Sequence, residues 1–205
     1  MRRMEFLTAA ENKESFLRRV ARYYPTLDWR YKLIEKAYND AHDAFQGVYR
    51  DDGATPYFTH ILAVALILLD YLRVRDHEMI VAALLHDIVE DKPEWTIERV
   101  RNEYGDQVAY LLEYLSKEFE YTDKVERERV YHTRFETAPR GFFLIKLADR
   151  FHNLYTLWAC DIGKQRRKVE ETKRYYLPYA EKHQILIHEL EEAIKKIEQG
   201  WAKKV

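Results

Sequence analysis

Four ionisable residues follow an apolar stretch near the middle of the chain. Residues 79–85 are all apolar, and the pairs His86-Asp87 and Glu90-Asp91 come after them. Removing the partner of a buried carboxylate costs about 3–5 kcal/mol, so carboxylates in such surroundings normally imply a neutralising cation. A bound metal ion would be one such cation. A solvated helix end with a half-buried histidine explains the same residues about as well.

The spacing of these residues suits a shared site. On a continuous helix His86 and Glu90 are four residues apart, as are Asp87 and Asp91. Residues at this spacing lie on the same face of the helix. We therefore expect metal ligands and acid-base groups from this segment to project toward one cavity.

Two more segments of the chain carry groups of the same kind. His60 lies on the first turn of the apolar segment 57–72, although a single histidine more often packs in the core or caps a helix. Further along, Lys146, Asp149 and Asn153 share the polar face of a predicted helix, where a solvated surface is the simpler explanation. Each segment alone is weak evidence for a site.

The three segments together are more informative than any one of them. They supply two imidazoles and two carboxylates, a mixed nitrogen and oxygen set that suits Mn²⁺, Fe²⁺ or another borderline ion with open coordination positions. Chance occurrence of all three segments in one chain is much less expected than chance occurrence of any one of them. The sequence therefore predicts a metal site that folding assembles from separate helices.

Helices are the elements that have to hold these residues. Only six Gly and five Pro occur in 205 residues, while good helix formers are plentiful, so we expect an all-α fold. Trp29 and Trp158 fall on apolar stripes that we expect to be buried, and Thr96 is a predicted N-cap. Apolar periodicity and breaker residues place helices at 8–24, 29–45, 57–72, 79–89, 96–105, 106–117, from about 123, at 142–158 and at 178–200.

Length and composition predict one cytoplasmic domain. We expect a single domain over 1–205, with its core at about 26–180 and a C-terminal amphipathic helix at about 178–199. The formal net charge of -1 gives no overall attraction to nucleic acid or to an anionic membrane. The longest apolar run, 61–69, is far shorter than the roughly 20 residues that span a bilayer. The amino terminus lacks a signal-peptide pattern, and the lone Cys160 cannot form an internal disulfide.

The motifs and their order resemble a known family. From Arg50 to Pro178 the sequence is similar to the hydrolase domain of the RelA/SpoT alarmone enzymes, in particular to its stand-alone form, the small alarmone hydrolases. The matching positions are Arg50 with Gly53, Pro56-Tyr57, His60, Ala63-Val64, His86-Asp87, Glu90-Asp91, Tyr104-Gly105, Val108, Lys124, Glu126-Arg127, Lys146, Asp149-Arg150, His152-Asn153, Glu171-Thr172, Tyr176 and Pro178.

The resemblance implies a fold, a reaction and roles for particular residues. Members of this family are all-α bundles that use Mn²⁺ to release pyrophosphate from the 3′ position of ppGpp and pppGpp. In this chain the implied roles of Glu90 and Asp91 are to position and deprotonate the attacking water, which fits the chemistry of a carboxylate base. The implied metal ligands are His60, His86, Asp87 and Asp149.

The resemblance also implies four substrate contacts. Arg50 looks like the residue that stacks on the base, and Asn153 like a sugar contact. Lys124 and Tyr176 resemble residues on the phosphate side of the pocket, where a cation offsets ligand charge. Solvated surface charges would equally explain Arg50 and Lys124, and core packing would explain Tyr176.

The sequence departs from the family pattern at several positions. Asp51 stands where the family commonly has a basic residue, which puts base and phosphate contacts there in doubt. Ile61 and Lys92 replace the usual Pro and Thr but remove no ligand. Because the chain ends soon after Pro178, we expect no alarmone synthesis.

Three hypotheses about function follow. The first is an Mn²⁺-dependent 3′-pyrophosphohydrolase of (p)ppGpp or a related alarmone such as (p)ppApp. The second keeps the metal site but assigns it another nucleotide, such as a nucleoside monophosphate or NADPH. The third is a catalytically silent nucleotide-binding or interaction module that dimerises through the helix at 178–200. We expect a nucleotide as partner, neither nucleic acid nor membrane, and a homo-oligomer is compatible with all three hypotheses.

Overall fold

Helices make up the regular structure of the chain in its described parts. The computed structural model describes residues 4, 7, 11–117 and 123–202, without the side chains of 124, 125 and 202. These ranges contain no β-strand, only one isolated bridge between Tyr49 and Pro56. The α-helices are α1 Lys13–Val20, α2 Trp29–Ala44, α3 Phe58–Leu66, α4 His77–Leu85, α5 Ile88–Asp91, α6 Ile97–Tyr104, α7 Asp106–Leu115, α8 Lys124–Thr133, α9 Arg140–Tyr155, α10 Ile162–Glu171, α11 Leu177–His183 and α12 Ile187–Ala202.

Short polar side chains begin many of these helices. The predicted cap Thr96 is confirmed, because its hydroxyl accepts a hydrogen bond from the backbone N–H of Arg99 at 3.1 Å. Such a bond satisfies a backbone donor that the first helical turn leaves free and stabilises the helix by about 1 kcal/mol. Five other side chains cap helices in the same way: Asn12, Asp28, Asp76, Asp123 and Asp161.

Helix α4 lies at the centre of the bundle and brings the polar segments together. Its residues from Met79 to Leu85 are all buried, as are the residues of α3 from His60 onward. Both helices contact each other and α9, and α4 also contacts α2 and α7. Each side of α3 and α4 therefore meets protein, which explains why their sequences are apolar nearly all round.

The predicted continuous helix at 79–89 is wrong at its polar end. Helix α4 ends at Leu85, and α5 is a separate turn that begins at Ile88. Between them Asp87 has φ -102° and ψ -4°, so its ψ is roughly 40° from that of a regular helix. His86 and Asp87 therefore lie at a junction between two helices, and the four-residue spacing to Glu90 and Asp91 does not place them on one helix face.

The predicted single helix at the C-terminal end is also wrong. It is divided into α11 and α12, because Gln184 and Leu186 have φ values of 57° and 52°. A left-handed conformation is unfavourable for residues with a side chain. Ile185 and Leu186 are buried in this break, and burial of two apolar side chains offsets that cost. Helix α12 also continues through Gly200, which we predicted as its end.

Two tryptophans that we expected in the core are exposed. Trp29 is 64% exposed at the first turn of α2, with its ring edge against His77. Trp158 is 73% exposed because α9 ends at Tyr155, and a 3₁₀ turn at Leu157–Ala159 does not continue the helical register. The sequence also gave no prediction for α10. None of the helices in the described ranges has both the length and the apolar character needed to cross a bilayer.

Candidate metal centre

The four predicted metal ligands meet at the Nε2 atom of His60. This atom lies 3.3 Å from His86 Nε2, 3.7 Å from Asp87 Oδ2 and 3.3 Å from Asp149 Oδ1. His86 Nε2 and Asp87 Oδ2 are 3.2 Å apart. The ligands come from α3, from the junction of α4 and α5, and from α9. Helix packing thus brings together residues that are far apart in the sequence.

The spacing of these donor atoms suits a single transition-metal ion. Nitrogen and oxygen donors bind such an ion at about 2.1 Å, which separates neighbouring donors by roughly 3.0–3.4 Å for octahedral to tetrahedral angles. Three of the four measured distances fall in that range, and the fourth is slightly longer at 3.7 Å. His60, His86 and Asp87 form a compact group of candidate ligands, and Asp149 lies outside this group but approaches His60 Nε2 to 3.3 Å. The donor set therefore fits a divalent cation.

Hydrogen bonds orient both histidine rings toward this position. His86 Nδ1 lies 2.8 Å from the carbonyl oxygen of Ala83, which can only accept, so Nδ1 carries a hydrogen and Nε2 is the nitrogen left to face an ion. On His60, Nδ1 lies 2.8 Å from His152 Nδ1. Burial lowers the pKa of His60 and holds that of His152 well below the ordinary value. The rings of His60 and His152 are therefore neutral. Burial opposes the charged form of His86 as well, but the Asp87 carboxylate outweighs burial and raises the pKa of His86, so an ion that binds there has to displace a proton from this ring.

Asp149 is the most strongly supported of the carboxylates. Its Oδ2 lies 3.0 Å from the Lys146 ammonium, and its Oδ1 accepts a hydrogen bond from Asn153 Nδ2. Burial opposes ionisation of both groups, but their mutual attraction outweighs it and holds the pKa of Asp149 well below and that of Lys146 well above the usual range. The predicted polar face of α9 is thus confirmed, and it is buried at the site instead of solvated.

Asp87 has a partner that sequence reasoning did not assign. The Tyr57 hydroxyl donates a 2.7 Å hydrogen bond to Asp87 Oδ2. Burial, followed by the Asp87 charge, raises the pKa of the Tyr57 phenol, so it stays a hydrogen-bond donor. Tyr57 precedes His60 by three residues, and this spacing on one helix turn was the available signal.

Glu90 and Asp91 lie in different surroundings. Glu90 lines a cavity of about 280 Å³ together with Asp87 and Asp149. Asp91 is exposed and is absent from that lining. Neighbouring protein atoms remove part of its water, and with the Asp87 and Glu90 charges they raise the pKa of Asp91 to about 6. The structure brings Glu90 to the candidate metal position and leaves Asp91 beside it.

The cavity wall has an excess of positive charge. Six cationic and four acidic side chains line it, so it favours an anionic ligand. Five of the six cations are partly neutralised by ion pairs. Lys117 pairs with Glu128, Lys146 with Asp149, Lys164 with Asp51, and both Arg150 and Lys168 pair with Glu171. Sequence reasoning assigned no role to most of these cations, since they come from separate elements. The cationic residues are Arg50, Lys117, Lys146, Arg150, Lys164 and Lys168.

Arg50 lies between this cavity and a second one of about 590 Å³. Its guanidinium donates to Asn153 Oδ1 at 2.8 Å and to Thr156 Oγ1 at 3.2 Å, and it lies 5.4 Å from the centre of the Tyr57 ring. Arg50 and Thr156 line both cavities. Two of the predicted substrate contacts, Arg50 and Asn153, therefore adjoin each other and the candidate metal ligand Asp149.

Asp51, which stands where the resembling family commonly has a basic residue, has a cation beside it. Lys164 of α10 places its ammonium 2.7 Å from Asp51 Oδ1, and this ion pair holds the pKa of Asp51 below its usual range. Both residues line the 280 Å³ cavity. A cation from another helix thus stands beside the position where the resembling family commonly has its own.

The remaining two predicted substrate contacts are Tyr176 and Lys124. Tyr176 lines the 280 Å³ cavity but is 1% exposed, and the Arg150 guanidinium stacks 3.8 Å over its ring. Lys124 begins α8, but its side chain lies outside the described residues. Burial and the stacked Arg150 agree with the packing interpretation of Tyr176, and its contact to the substrate stays a prediction, as does that of Lys124.

A second cluster could also hold a cation but is already neutralised. Glu128, His132 and Glu171 lie close together. Lys117 pairs with Glu128, and Arg150 and Lys168 both pair with Glu171. These three cations leave no uncompensated negative charge for a metal ion to balance.

A family model and curated relatives both match this chain. The family model described as "HD domain" matches residues 37–186. The chain is 37% identical to the bifunctional (p)ppGpp synthase/hydrolase SpoT of Escherichia coli over 171 residues, which are 81% of this chain and 24% of that protein. It is 39% identical to the guanosine-3′,5′-bis(diphosphate) 3′-pyrophosphohydrolase of Haemophilus influenzae over 68% of this chain and 21% of that protein. The chain thus spans about a quarter of the length of these curated relatives.

A solved structure has the same fold. It is that of a metazoan ortholog of SpoT, described as hydrolyzing ppGpp and playing a role in starvation responses. The superposition has a TM-score of 0.73 at 24% identity and covers 80% of this chain and 94% of the other. The predicted all-α fold is therefore confirmed.

Proposed function

Because this chain belongs to the HD domain family, we propose that it is a metal-dependent hydrolase that releases pyrophosphate from the 3′ position of (p)ppGpp or a related purine alarmone such as (p)ppApp. One observation carries the proposal: two imidazoles and two carboxylates meet at His60 Nε2 beside a cavity with an excess of cations. The curated relatives named as 3′-pyrophosphohydrolases support the choice of reaction.

The cation that we propose for this site is Mn²⁺. The two nitrogen and two oxygen donors of the site suit Mn²⁺ and other borderline ions, and four ligands leave coordination positions open. When bound, such an ion polarises a phosphoryl oxygen and lowers the pKa of water. The proposed ligands are His60, His86, Asp87 and Asp149.

Glu90 is the group that we propose as proton acceptor. Its carboxylate lines the cavity that Asp87 and Asp149 also line, so it can accept the proton of a water that attacks a phosphorus atom there. Asp91 is the second carboxylate of the pair, and we propose that it orients Glu90 and the water by its charge. With its pKa raised to about 6, Asp91 carries that charge at neutral pH.

The wall of the cavity supplies the contacts for the substrate. Arg150, Lys117 and Lys168 offer positive charge to phosphate groups, and Tyr176 packs under Arg150. We propose that the base stacks on Arg50. This residue lines both cavities, so a nucleotide that extends from one cavity into the other lies against it. Lys124 remains a proposed contact to phosphate.

The sugar contact that we propose is Asn153. Its side-chain oxygen accepts from Arg50 and its amide nitrogen donates to Asp149, so it links the proposed base and metal positions. The ribose of a 3′-phosphorylated nucleotide has to lie between its base and its 3′-phosphate. Asn153 is in the position to contact it.

A substrate panel tests the proposed function. Purified protein with Mn²⁺ is given ppGpp, ppApp, NADPH and dAMP in separate reactions, and released pyrophosphate and phosphate are measured. We expect pyrophosphate from ppGpp or ppApp and a loss of activity when the ion is chelated. Rapid turnover of dAMP or NADPH without turnover of either alarmone would favour another HD-type phosphohydrolase, and metal binding without any turnover would favour a binding module.

Location and assembly belong to the same proposal. We propose a cytoplasmic protein, which agrees with a single cysteine in 205 residues. The substrate is a small nucleotide, and the net charge of -1 gives no support for nucleic acid or membrane as a partner. Gel filtration would decide between a monomer and a homo-oligomer.

A further inference from the structure

The two nitrogens of the His60 ring both face α9. Asp149 Oδ1 lies 3.3 Å from Nε2, and His152 Nδ1 lies 2.8 Å from Nδ1. Asp149 and His152 are three residues apart on α9 and therefore share one face of that helix. One helix thus contacts both polar atoms of a single imidazole on another helix.

The contact between the two Nδ1 atoms is a buried hydrogen bond. His60 is 1% and His152 is 6% exposed, so little water reaches this contact. Two neutral imidazole nitrogens at 2.8 Å can share only one hydrogen, so one ring donates and the other accepts. Which ring donates is decided by the other nitrogen of His60.

His60 has to be the donor when the site holds a cation. Its Nε2 faces His86, Asp87 and Asp149, so Nε2 offers its lone pair to the ion. The hydrogen of the neutral ring then lies on Nδ1, and His152 Nδ1 accepts it. The opposite arrangement would place a hydrogen on Nε2, between the ring and the ion.

His152 is not itself a fifth ligand. Its Nδ1 meets the Nδ1 atom of His60, which lies on the opposite side of the ring from the nitrogen that faces the other donors. Any effect of His152 on the ion has to pass through the His60 ring.

We propose that His152 is a positioning residue, which accepts the hydrogen bond of His60 Nδ1 and so fixes the tautomer and the rotation of this ligand. This inference rests on the proposed metal site, but it does not depend on which nucleotide is the substrate. The carbonyl of Ala83 has the same task for His86. Because a side chain performs it for His60, substitution can test it.

The test compares two variants of nearly equal shape. Asn places its side-chain oxygen where His152 has Nδ1 and can accept from His60, whereas Leu has a similar outline and accepts nothing. Mn²⁺ alone is titrated calorimetrically into each purified, metal-free protein. Loss of such a supporting hydrogen bond typically costs ~10–100-fold in metal affinity. We expect that loss for His152→Leu and an affinity close to that of the unsubstituted protein for His152→Asn.

Two controls separate this role from folding and from catalysis. His132→Leu removes another buried histidine, whose ring stacks on Tyr175 and which is not among the four proposed ligands, and should leave the Mn²⁺ affinity unchanged. Glu90→Gln should keep the affinity and lose turnover. Thermal unfolding of each metal-free protein shows whether it is folded. Equal Mn²⁺ affinity of His152→Leu and the unsubstituted protein would overturn the proposal, as would equal losses in the Leu and Asn variants.

The unsubstituted protein offers a second measurement that does not depend on any variant. Nitrogen NMR of the histidine rings, with the diamagnetic Zn²⁺ as probe, reports which ring nitrogen carries hydrogen. We expect hydrogen on His60 Nδ1 and none on His152 Nδ1. Hydrogen on His152 Nδ1 would reverse the donor and acceptor and exclude the proposed role. If hydrolysis of every tested nucleotide failed while these results held, only the proposed function would fall.

Discussion

Each proposed ligand is held by a protein group that is not itself a ligand. Such partners fix the direction of a ligand before any ion arrives, and in metal sites they matter almost as much as the ligands. Ala83 and Lys146 precede their ligands by three residues, whereas His152 and Tyr57 lie far from their ligands in the sequence and meet them only through folding. The pairs are His60 with His152, His86 with Ala83, Asp87 with Tyr57, and Asp149 with Lys146.

The Asp87 carboxylate provides the first prediction. Asp87→Asn keeps the shape of the side chain and an oxygen that can accept from Tyr57, but it removes the negative charge. We expect the protein to lose bound Mn²⁺ and turnover together, because a neutral amide is a poor ligand beside two imidazoles. Metal content after dialysis and the rate with ppGpp check this. Full activity of Asp87→Asn would show that the site assignment is wrong.

A second prediction concerns Glu90, which differs from Asp87 in its expected effect. Glu90→Gln should retain Mn²⁺, since Glu90 is not among the proposed ligands, but should lower kcat by about 10²–10⁴, the usual range for an acid-base group. The two readouts are metal content and kcat at saturating substrate. Loss of the metal from this variant would instead assign Glu90 to the ligand set.

At the scale of elements, the connection between α6 and α7 depends on Gly105. Its φ of 92° and ψ of 169° are accessible almost only to glycine. A Cβ atom there would meet no other atom within 4 Å, so the cost of Gly105→Ala is conformational. We expect a loss of about 1–3 kcal/mol in the free energy of unfolding, measured with urea.

Gly200 is the matched control for Gly105. It lies inside α12, and an added Cβ would likewise have open space. Ala is favoured over Gly within a helix by about 0.5–1 kcal/mol, so Gly200→Ala should change stability by a small amount of opposite sign. Equal losses for both variants would contradict the conformational explanation.

Apolar periodicity predicted the buried helices well and the breaks between helices poorly. Helices α3, α4 and α9 were found near their predicted positions because long apolar stripes identify them. The breaks at Asp87 and Gln184 have no Gly or Pro, so no local signal marks them. Helix α10 buries only Gln165 and Val169, too few residues for a recognisable stripe.

In the candidate site, the sequence indicated the ligands but not most of the cations around them. Each proposed ligand stood out because an ionisable residue in an apolar segment needs an explanation. Lys164 and Lys117 did not stand out, because each is one cation among the 34 basic residues of the chain. Only the folded arrangement shows that they share a cavity.

For the whole molecule, we predict that a bound ion raises thermal stability. The four ligands link α3, the junction of α4 and α5, and α9, so the ion binds the folded chain far better than the unfolded one. At 100 times the dissociation constant this linkage contributes about 2.7 kcal/mol. Melting curves with and without excess Mn²⁺ check it, and Asp87→Asn should show no shift.

Another whole-molecule prediction concerns pH and His132. Burial lowers the pKa of His132 to about 4, since Glu171 and Glu128 offset this effect only in part. In the unfolded chain it is about 6.5. Between pH 6.5 and pH 4 His132 is therefore protonated in the unfolded state but neutral in the folded state. Neutral His132 costs the folded state no stability above pH 6.5, and the free energy of unfolding decreases as the pH falls from 6.5 toward 4.

The size of this effect can be measured as a difference between two proteins. Between pH 7.5 and 5.0 it amounts to at most about 2 kcal/mol. His132→Phe should therefore lose less stability than the unsubstituted protein over this interval, in urea unfolding of the metal-free forms. The other titrating groups are the same in both and cancel. Identical pH dependence of the two proteins would exclude His132 as a contributor.

The hydrogen bond between His60 and His152 joins residues that are 92 positions apart. On a growing nascent chain, His60, His86 and Asp87 therefore leave the ribosome well before α9 can follow them. Asp149 also lies on α9, so the full set of proposed donors exists only once α9 has packed against the earlier helices. We therefore expect the proposed ion to be bound late in folding, after the long-range contacts have formed.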